Sequence, residues 1–453
     1  MRRTLALLLF FVPCVAHTQV WEKYVAPGLT YHMEYDADTP RTIHALHFDM
    51  HSTAVHAVPE LGQLKVYNDD KTKGRGTVSH MVAQTNGIAG VNASFFPYTG
   101  RPVGLMVRNK ELISTPYPTR AEFGWGGVAT AFGLSSFSAS FKPEGGNPID
   151  ISHFNDEVPA DSICLDTDTG SLALTKSGVG TCAVIRVVNG NWGPNANVEG
   201  EVLFLYTDTN KVPIQAGNCA LMGTGSKAQY IAALKPGQRV NFAVHTDGFN
   251  WGKIDQCVCG GPYLVKSGSI SVDAAAEGFP KSFYENRYAR TAIGRDSRGD
   301  IWLAVVDGKQ SFSVGATLDE MAAIMKHLGC VDAINLDGGG SSTFNVFGLT
   351  MNHPSDGVER MLANAIVFYG PTAPAEQTQF SVRSPGTLKA GDKAQISVVK
   401  PDGEVVPNSE VLWASAGSGW IDQGGLLRVE KAGNITISAS VHGQVVTFTT
   451  VVG

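Results

Sequence analysis

Thr317-Leu318-Asp319-Glu320-Met321-Ala322-Ala323-Ile324-Met325-Lys326-His327-Leu328-Gly329-Cys330-Val331-Asp332-Ala333-Ile334-Asn335-Leu336-Asp337-Gly338-Gly339-Gly340-Ser341-Ser342 is the stretch on which the reading of the fold turns. Leu318, Met321, Ala322, Met325 and Leu328 recur at the spacing of one helical face. Thr317 stands three residues ahead of Glu320, as in a capping box, and Gly329 marks the stop. Val331 to Leu336 then reads as a strand, with Asn335 and Asp337 projecting to one side while Ile334 and Leu336 anchor the other. The glycines that follow let the backbone turn with its N–H groups toward an anion, and Ser341 and Ser342 add hydroxyls. An ordinary Gly-rich turn with an Asx cap fits the same composition. No lysine follows the glycines, so this is not a Walker phosphate loop.

Toward the N-terminus the layout recurs. Thr77 to Thr85 reads as a helix, Gly87 as its stop, and Ile88 to Val91 as a strand ending at Asn92. Two such units predict a loosely duplicated architecture in which Asn92 and Asn335 emerge at one edge of a shared sheet, where crevices collect ligands. Short β-rich runs separated by Gly, Asn and Asp turns fill the rest of the chain to about residue 370. Beyond Pro371 and Pro374 the pattern changes to regularly spaced short strands with no helix, and Trp413 is a natural core residue there. That segment resembles the Ig-like domains appended to exported bacterial proteins. The expected fold is therefore α+β: a mixed-sheet domain with a few helices over residues 19–370, then an all-β Ig-like sandwich over 371–453.

Arg2 and Arg3 ahead of the apolar run Leu5 to Val15, with small residues after it, describe a signal peptide over residues 1–18. The run is too short to cross a bilayer, which takes about 20 apolar residues. The expected destination is the periplasm or the medium, with no membrane span. A net charge of -6 and the lack of any Lys/Arg-rich run exclude a nucleic-acid partner. Six cysteines remain beyond Cys14, an even count that in an exported chain predicts disulfides, with Cys164–Cys182 the first expected pair. Cys257-Val258-Cys259 lacks the spacing of a zinc or redox motif, and no histidine spacing suggests a metal; no cofactor is expected.

Several further segments carry candidate chemistry. Asn92-Ala93-Ser94-Phe95-Phe96 ends the first unit, and Gly260-Gly261-Pro262 makes a backbone-dense turn. Arg290-Thr291-Ala292-Ile293-Gly294 brings an arginine suited to phosphate, and Pro354-Ser355-Asp356 through Glu359 and Arg360 forms a charged loop. In that order, together with Asn335-Leu336-Asp337-Gly338-Gly339-Gly340-Ser341-Ser342, these motifs resemble the phosphodiester glycosidase family, which includes the lysosomal uncovering enzyme. The resemblance runs over roughly residues 75 to 370 and is densest from Arg290 to Phe368; Ala93-Ser94 stands where the family commonly has a glycine.

The resemblance implies a hydrolase that cuts the sugar C–O bond of sugar–phosphate diesters such as those of N-acetylglucosamine. A departing phosphomonoester, with a second pKa of ~6, leaves without full protonation, so one carboxylate and a cationic phosphate cradle suffice. On this reading Asp337 is the general base or stabilises the oxocarbenium-like state. Arg290 and the turn Gly338, Gly339, Gly340, Ser341 and Ser342 hold the phosphate. Asn92 holds sugar hydroxyls, Asn335, Gly261 and Asp356 line the substrate, and Glu359 is a further catalytic carboxylate. The competing reading is a binding protein for envelope or capsular polysaccharide, in which the same turn clamps a glycan without cleaving it. A metal-dependent phosphatase or phosphodiesterase ranks last, for want of His/Asp ligand spacing.

Overall fold

The computed structural model describes residues 18–372, 378–383 and 385–453; residues 1–17 of the expected signal peptide and part of the linker around Pro374 lie outside them, while Thr18 opens the first strand. Alternating apolar residues build two antiparallel sheets that face each other. The larger has eight strands in the order Thr18–Ala26, Leu29–Asp36, Arg41–Phe48, Ile301–Val306, Arg290–Asp296, Cys330–Asn335, Tyr263–Lys266 and Ser269–Ile270. The smaller has five, in the order Leu349–Thr350, Phe344–Val346, Ala89–Asn92, Asn364–Tyr369 and His56–Leu61. Tyr31, Leu46 and Phe48 from the first sheet and Val91, Phe344, Ile366 and Phe368 from the second share one core. Edge-on ring contacts tie the layers, Phe48 to Phe368 and Tyr31 to Phe344, each with centroids 5.6 Å apart.

The helix of the opening stretch forms as its pattern demands, Leu318–His327, with both halves of the capping box made between Thr317 and Glu320. It buries Leu318, Met321, Ala322 and Met325 against the outer face of the larger sheet. Val78–Gln84 is likewise helical, capped by Thr77. Between the sheet strands Ala129–Gly133 and Gln256–Cys259 the chain inserts a separate eight-stranded sheet spanning residues 137–246, with its own core around Phe141, Leu165, Leu221 and Phe242.

Three expectations need correction. The fold is β-rich, and both site-bearing sheets are antiparallel throughout, not mixed; among the described strands a parallel pair occurs only at His153–Phe154 with Ile163–Thr167 in the inserted sheet. The helix Leu318–His327 does connect two strands that run the same way, but Arg290–Asp296 is interposed between them, so every neighbouring pair is antiparallel. The two helix–strand units end in different, facing sheets and share no sheet edge. Cys164 and Cys182 are not joined: both pair in register with Met222, from opposite sides of the strand Asn218–Thr224. That places them two strand spacings apart, about 9–10 Å, beyond the ~7 Å Cα reach of a disulfide. All six described cysteines are free and buried.

The C-terminal residues form two three-stranded antiparallel sheets, Lys393–Gln395 with Leu426–Val429 and Gly419–Ile421, and Val411–Gly417 with Gly433–Val441 and Gln444–Val452. Trp413 is buried between them, its Nε1 donating to Asn408 Oδ1 at 2.7 Å. This unit is not loosely tethered. Leu412, Ala414 and Trp420 belong to the main core, and Trp420 stacks on Phe312 at 5.1 Å. No helix among the described residues is long and apolar enough to cross a membrane.

Candidate active site

The ends of Ala89–Asn92 and Cys330–Asn335 converge across the gap between the two sheets. The Asp337 N–H donates to Ala93 O at 3.0 Å, and Asn92 Nδ2 donates to Asp337 O at 2.7 Å. Asn92 Oδ1 accepts from the Thr291 hydroxyl at 2.9 Å and from the Thr343 N–H at 3.1 Å. The carboxamide belongs to a residue only 1% exposed, and both its oxygen and its nitrogen are engaged inside the protein. The expected hold of Asn92 on sugar hydroxyls does not fit this geometry; Asn92 positions the backbone of Asp337.

Asn335 is also buried, its Nδ2 donating to Gly261 O at 3.0 Å and Leu336 O at 2.7 Å. Gly261 has φ +109, and a Cβ there would come within 2.5 Å of Glu277 Oε2. Its lack of a side chain lets the Gly261–Pro262 turn sit against the strand that leads to Asp337. Gly261 has no side chain to offer, and Asn335 keeps only a buried Oδ1 without a partner; both fix the strand end.

The turn after Asp337 is folded on itself rather than open. Gly339–Ser341 forms a 3-10 turn. The Gly338 N–H bonds the Asp337 carboxylate at 2.9 Å, Gly339 N–H bonds Ala289 O, and Ser341 and Ser342 N–H bond Gly338 O and Gly339 O. The chain's own acceptors thus take the N–H groups of Gly338, Gly339, Ser341 and Ser342, and of the expected cup only the Gly340 N–H is without an acceptor among the described residues. The Ser342 hydroxyl is buried against Thr291 at 3.0 Å.

What the turn does instead is frame a carboxylate. Burial raises the Asp337 carboxyl to about 6, against the opposing effects of a hydrogen bond from Ser341, one from the Gly338 N–H, and the charge of Arg360. Arg360 reaches Ser341 Oγ at 3.2 Å and grips Asp356 through Nε at 2.9 Å and Nη2 at 2.6 Å. A Cβ at Gly340 would lie 2.1 Å from both Arg360 and Asp356, so glycine is required for this approach. Asp356, Arg360 and Ser341 thus form a hydrogen-bonded chain leading toward Asp337. Its loop is tied down from the core by Asp307, which accepts from the His353 N–H at 3.0 Å and from Asn352 Nδ2 at 3.1 Å. Burial alone would raise the Asp307 carboxyl; hydrogen bonds and charge from His353 and His44 outweigh it and hold it far below the ordinary range.

Two expected residues are placed differently. Arg290 is 1% exposed, and its Nε donates to Ala316 O while Nη2 donates to Phe283 O and Asn286 O. Desolvation lowers it to about 10, and its partners are carbonyls and aromatic rings. Glu359 accepts from the Ser79 N–H at 3.0 Å, in the first turn of Val78–Gln84, and from Thr350 at 2.5 Å. Both of its oxygens are engaged, so it reads as a helix anchor rather than a catalytic carboxylate. Sequence reasoning missed Arg360. It sat in the same charged loop as Asp356, and the pairing of the two four residues apart was the available signal.

At the opposite end of the same strands, His47, Asp296 and Asp300, and Asp49, His51 and Asp300, bring potential ligand atoms within 4.8 Å of one another. Arg298 already lies 2.9 Å from Asp300 and 3.2 Å from Asp296, which neutralises these carboxylates without a metal.

Residues 184–369 match the phosphodiester glycosidase family model. That segment carries Asp337, Asp356 and Arg360 but not Asn92. A stretch of 110 residues is 39% identical to the N-acetylglucosamine-1-phosphodiester alpha-N-acetylglucosaminidase of Bos taurus, covering 22% of this chain and 21% of that protein. The chain thus spans about a fifth of the length of that curated relative. Among solved structures, a hypothetical protein from Synechocystis aligns with a TM-score of 0.63 and 21% identity over 76% of this chain and 62% of its own. A protein of Burkholderia pseudomallei described as a candidate exported protein aligns at 0.61 and 21%, over 73% and 74%. The sequence matches support the family, and the two structures show a shared fold.

Proposed function

We propose that the chain is an exported hydrolase that cleaves the anomeric C–O bond of a sugar–phosphate diester, releasing a free sugar and a phosphomonoester. The observation that carries this reading is the Asp337 carboxyl, raised to about 6 by burial at the meeting point of two strand ends, with Arg360 one hydroxyl away. Family-level similarity supports the reaction class.

Near neutral pH such a carboxyl is poised to accept a proton. In the proposed reaction, water attacks the anomeric carbon as its bond to the phosphate oxygen breaks. Asp337 takes the proton from water, and the electron pair of the broken bond leaves with the phosphomonoester. Asn92, Asn335 and Gly261 act as positioning residues. The segment 371–453 is read as an Ig-like module whose contact with the loop of His353, through Ser415 Oγ at 3.5 Å, braces the Arg360 side of the cleft.

The test is incubation of the mature protein with sugar phosphodiesters, an N-acetylglucosamine diester first, with products followed by NMR. Free reducing sugar plus an intact phosphomonoester is expected. Saturable glycan binding without products would move the same residues into a recognition site.

A further inference from the structure

Against the two segments that hold the end of the Asp337 strand lies an arginine that the expected site did not include. Arg120 follows the exposed residues Tyr117 to Thr119, and its guanidinium stands 4.0 Å over the Phe279 ring and 4.9 Å over those of Phe95 and Tyr117. Phe95 comes two residues after Ala93, the acceptor of the Asp337 N–H. A Cβ on Gly261 would lie 3.5 Å from Arg120 Cδ. Arg120 is therefore flanked by both segments that hold the end of the Asp337 strand.

Its bonding is unlike that of any other described arginine. Arg41, Arg75, Arg101, Arg108, Arg186 and the rest each place the guanidinium on a carboxylate or a carbonyl. The Arg120 guanidinium makes no hydrogen bond and no ion pair within 4 Å among the described residues, and its Nε is buried without a partner. Its terminal nitrogens are not among the buried unpartnered atoms. Glu277 is the acidic group nearest in charge terms, but it is spent on the N–H groups of Tyr263 at 2.8 Å and Ala121 at 3.3 Å. A cation stacked on three rings is held flat at little entropic cost, while its terminal nitrogens carry no protein partner. Bidentate donors in that state match a phosphate or carboxylate oxygen pair.

We propose that Arg120, caged by Phe95, Tyr117 and Phe279, is the anion-binding residue of the cleft and receives the phosphate oxygens of the ligand. The assignment rests on the phosphodiester reading and deepens it, giving the phosphate role expected for Arg290 to a residue outside the segment that matches the family.

Methyl phosphate, a minimal phosphomonoester, is titrated by calorimetry into the full chain and into Arg120→Gln and Arg120→Lys, with N-acetylglucosamine as the neutral control. Arg120→Gln is expected to weaken methyl phosphate at least ~10-fold, the scale of a lost charge-assisted bond. Arg120→Lys is expected to recover part of that loss, and sugar affinity to stay unchanged in both. Equal methyl phosphate affinity in the wild type and either variant overturns the proposal, as does a wild type that shows no saturable binding. Should Arg120→Gln not fold, the Lys variant and the salt dependence of wild-type binding decide it, since a phosphate held by one arginine must weaken as salt rises. Diester turnover is followed in parallel. Wild-type turnover with phosphate binding unaltered in the variants sinks Arg120 alone, whereas Arg120-dependent binding without turnover sinks the hydrolase reading and leaves the anion site standing.

Discussion

The units Thr77–Asn92 and Thr317–Asp337 have the same layout, a threonine-capped helix, a glycine stop and a strand with an amide at its end, yet they do different work. In the first, the amide at the strand end bonds inward: Asn92 bonds Asp337 O, Thr291 and Thr343, and the helix is anchored from outside by Glu359. In the second, the chain runs two residues further, and burial holds the Asp337 carboxyl near neutrality. The first unit is a clamp and the second is what it clamps. A satisfied amide gives stability, whereas an under-solvated carboxylate costs stability and supplies chemistry.

Substitutions that separate the two roles should differ in kind. The largest effect on turnover is expected from Asp337→Asn, a loss of at least ~100-fold for removal of an acid–base group, measured as kcat on a diester substrate. The same change should not unfold the protein, since the neutral amide suits the site better than the ionised acid. Asn92→Ala should show the opposite balance. It leaves the Asp337 carbonyl and the Thr343 N–H without a partner, so the chain should lose about 1–3 kcal/mol in urea unfolding, with turnover falling as the Asp337 backbone loosens. Glu359→Gln sits at the small end. It weakens one helix anchor by about 0.3–1 kcal/mol and should leave kcat within about twofold, while a loss as large as that of Asp337→Asn would restore Glu359 to the catalytic machinery.

Much of this was legible before the fold was known. The 318–328 stripe, its capping box and the strand after Gly329 follow from local chemistry alone, because spacing and caps act over a few residues. So did the importance of Asp337, from its place after a strand and before glycines. Pairing partners were not legible. Whether the strand ending at Asn92 joins the sheet of Asn335 or faces it depends on which strands intervene, and Arg290–Asp296 does so without a local signal. Arg290, Arg120 and Arg360 look alike in sequence. Only the fold shows that the first is absorbed by carbonyls, the second stacked on rings, and the third paired with Asp356. The expected disulfide failed for the same reason, since both cysteines flank a strand they do not belong to.

The raised Asp337 carboxyl also fixes a sign. A folded-state value of about 6 above the ordinary range means that protonation favours the native chain. The contribution is fully present below about pH 4 and is lost as pH rises through about 6, by up to roughly 3 kcal/mol at about 1.4 kcal/mol per unit. Asp337→Asn escapes that loss and should gain on the wild type across the same window. The most direct test is a carbon-13 NMR titration of the aspartate carboxyls, with Asp337→Asn assigning the missing signal. A midpoint near 6 for Asp337, coinciding with a rise in kcat/KM through the same pH, is the expected result. A midpoint in the ordinary range near 4, with no matching limb in the rate profile, would contradict the assignment of Asp337 as the proton acceptor of the cleft.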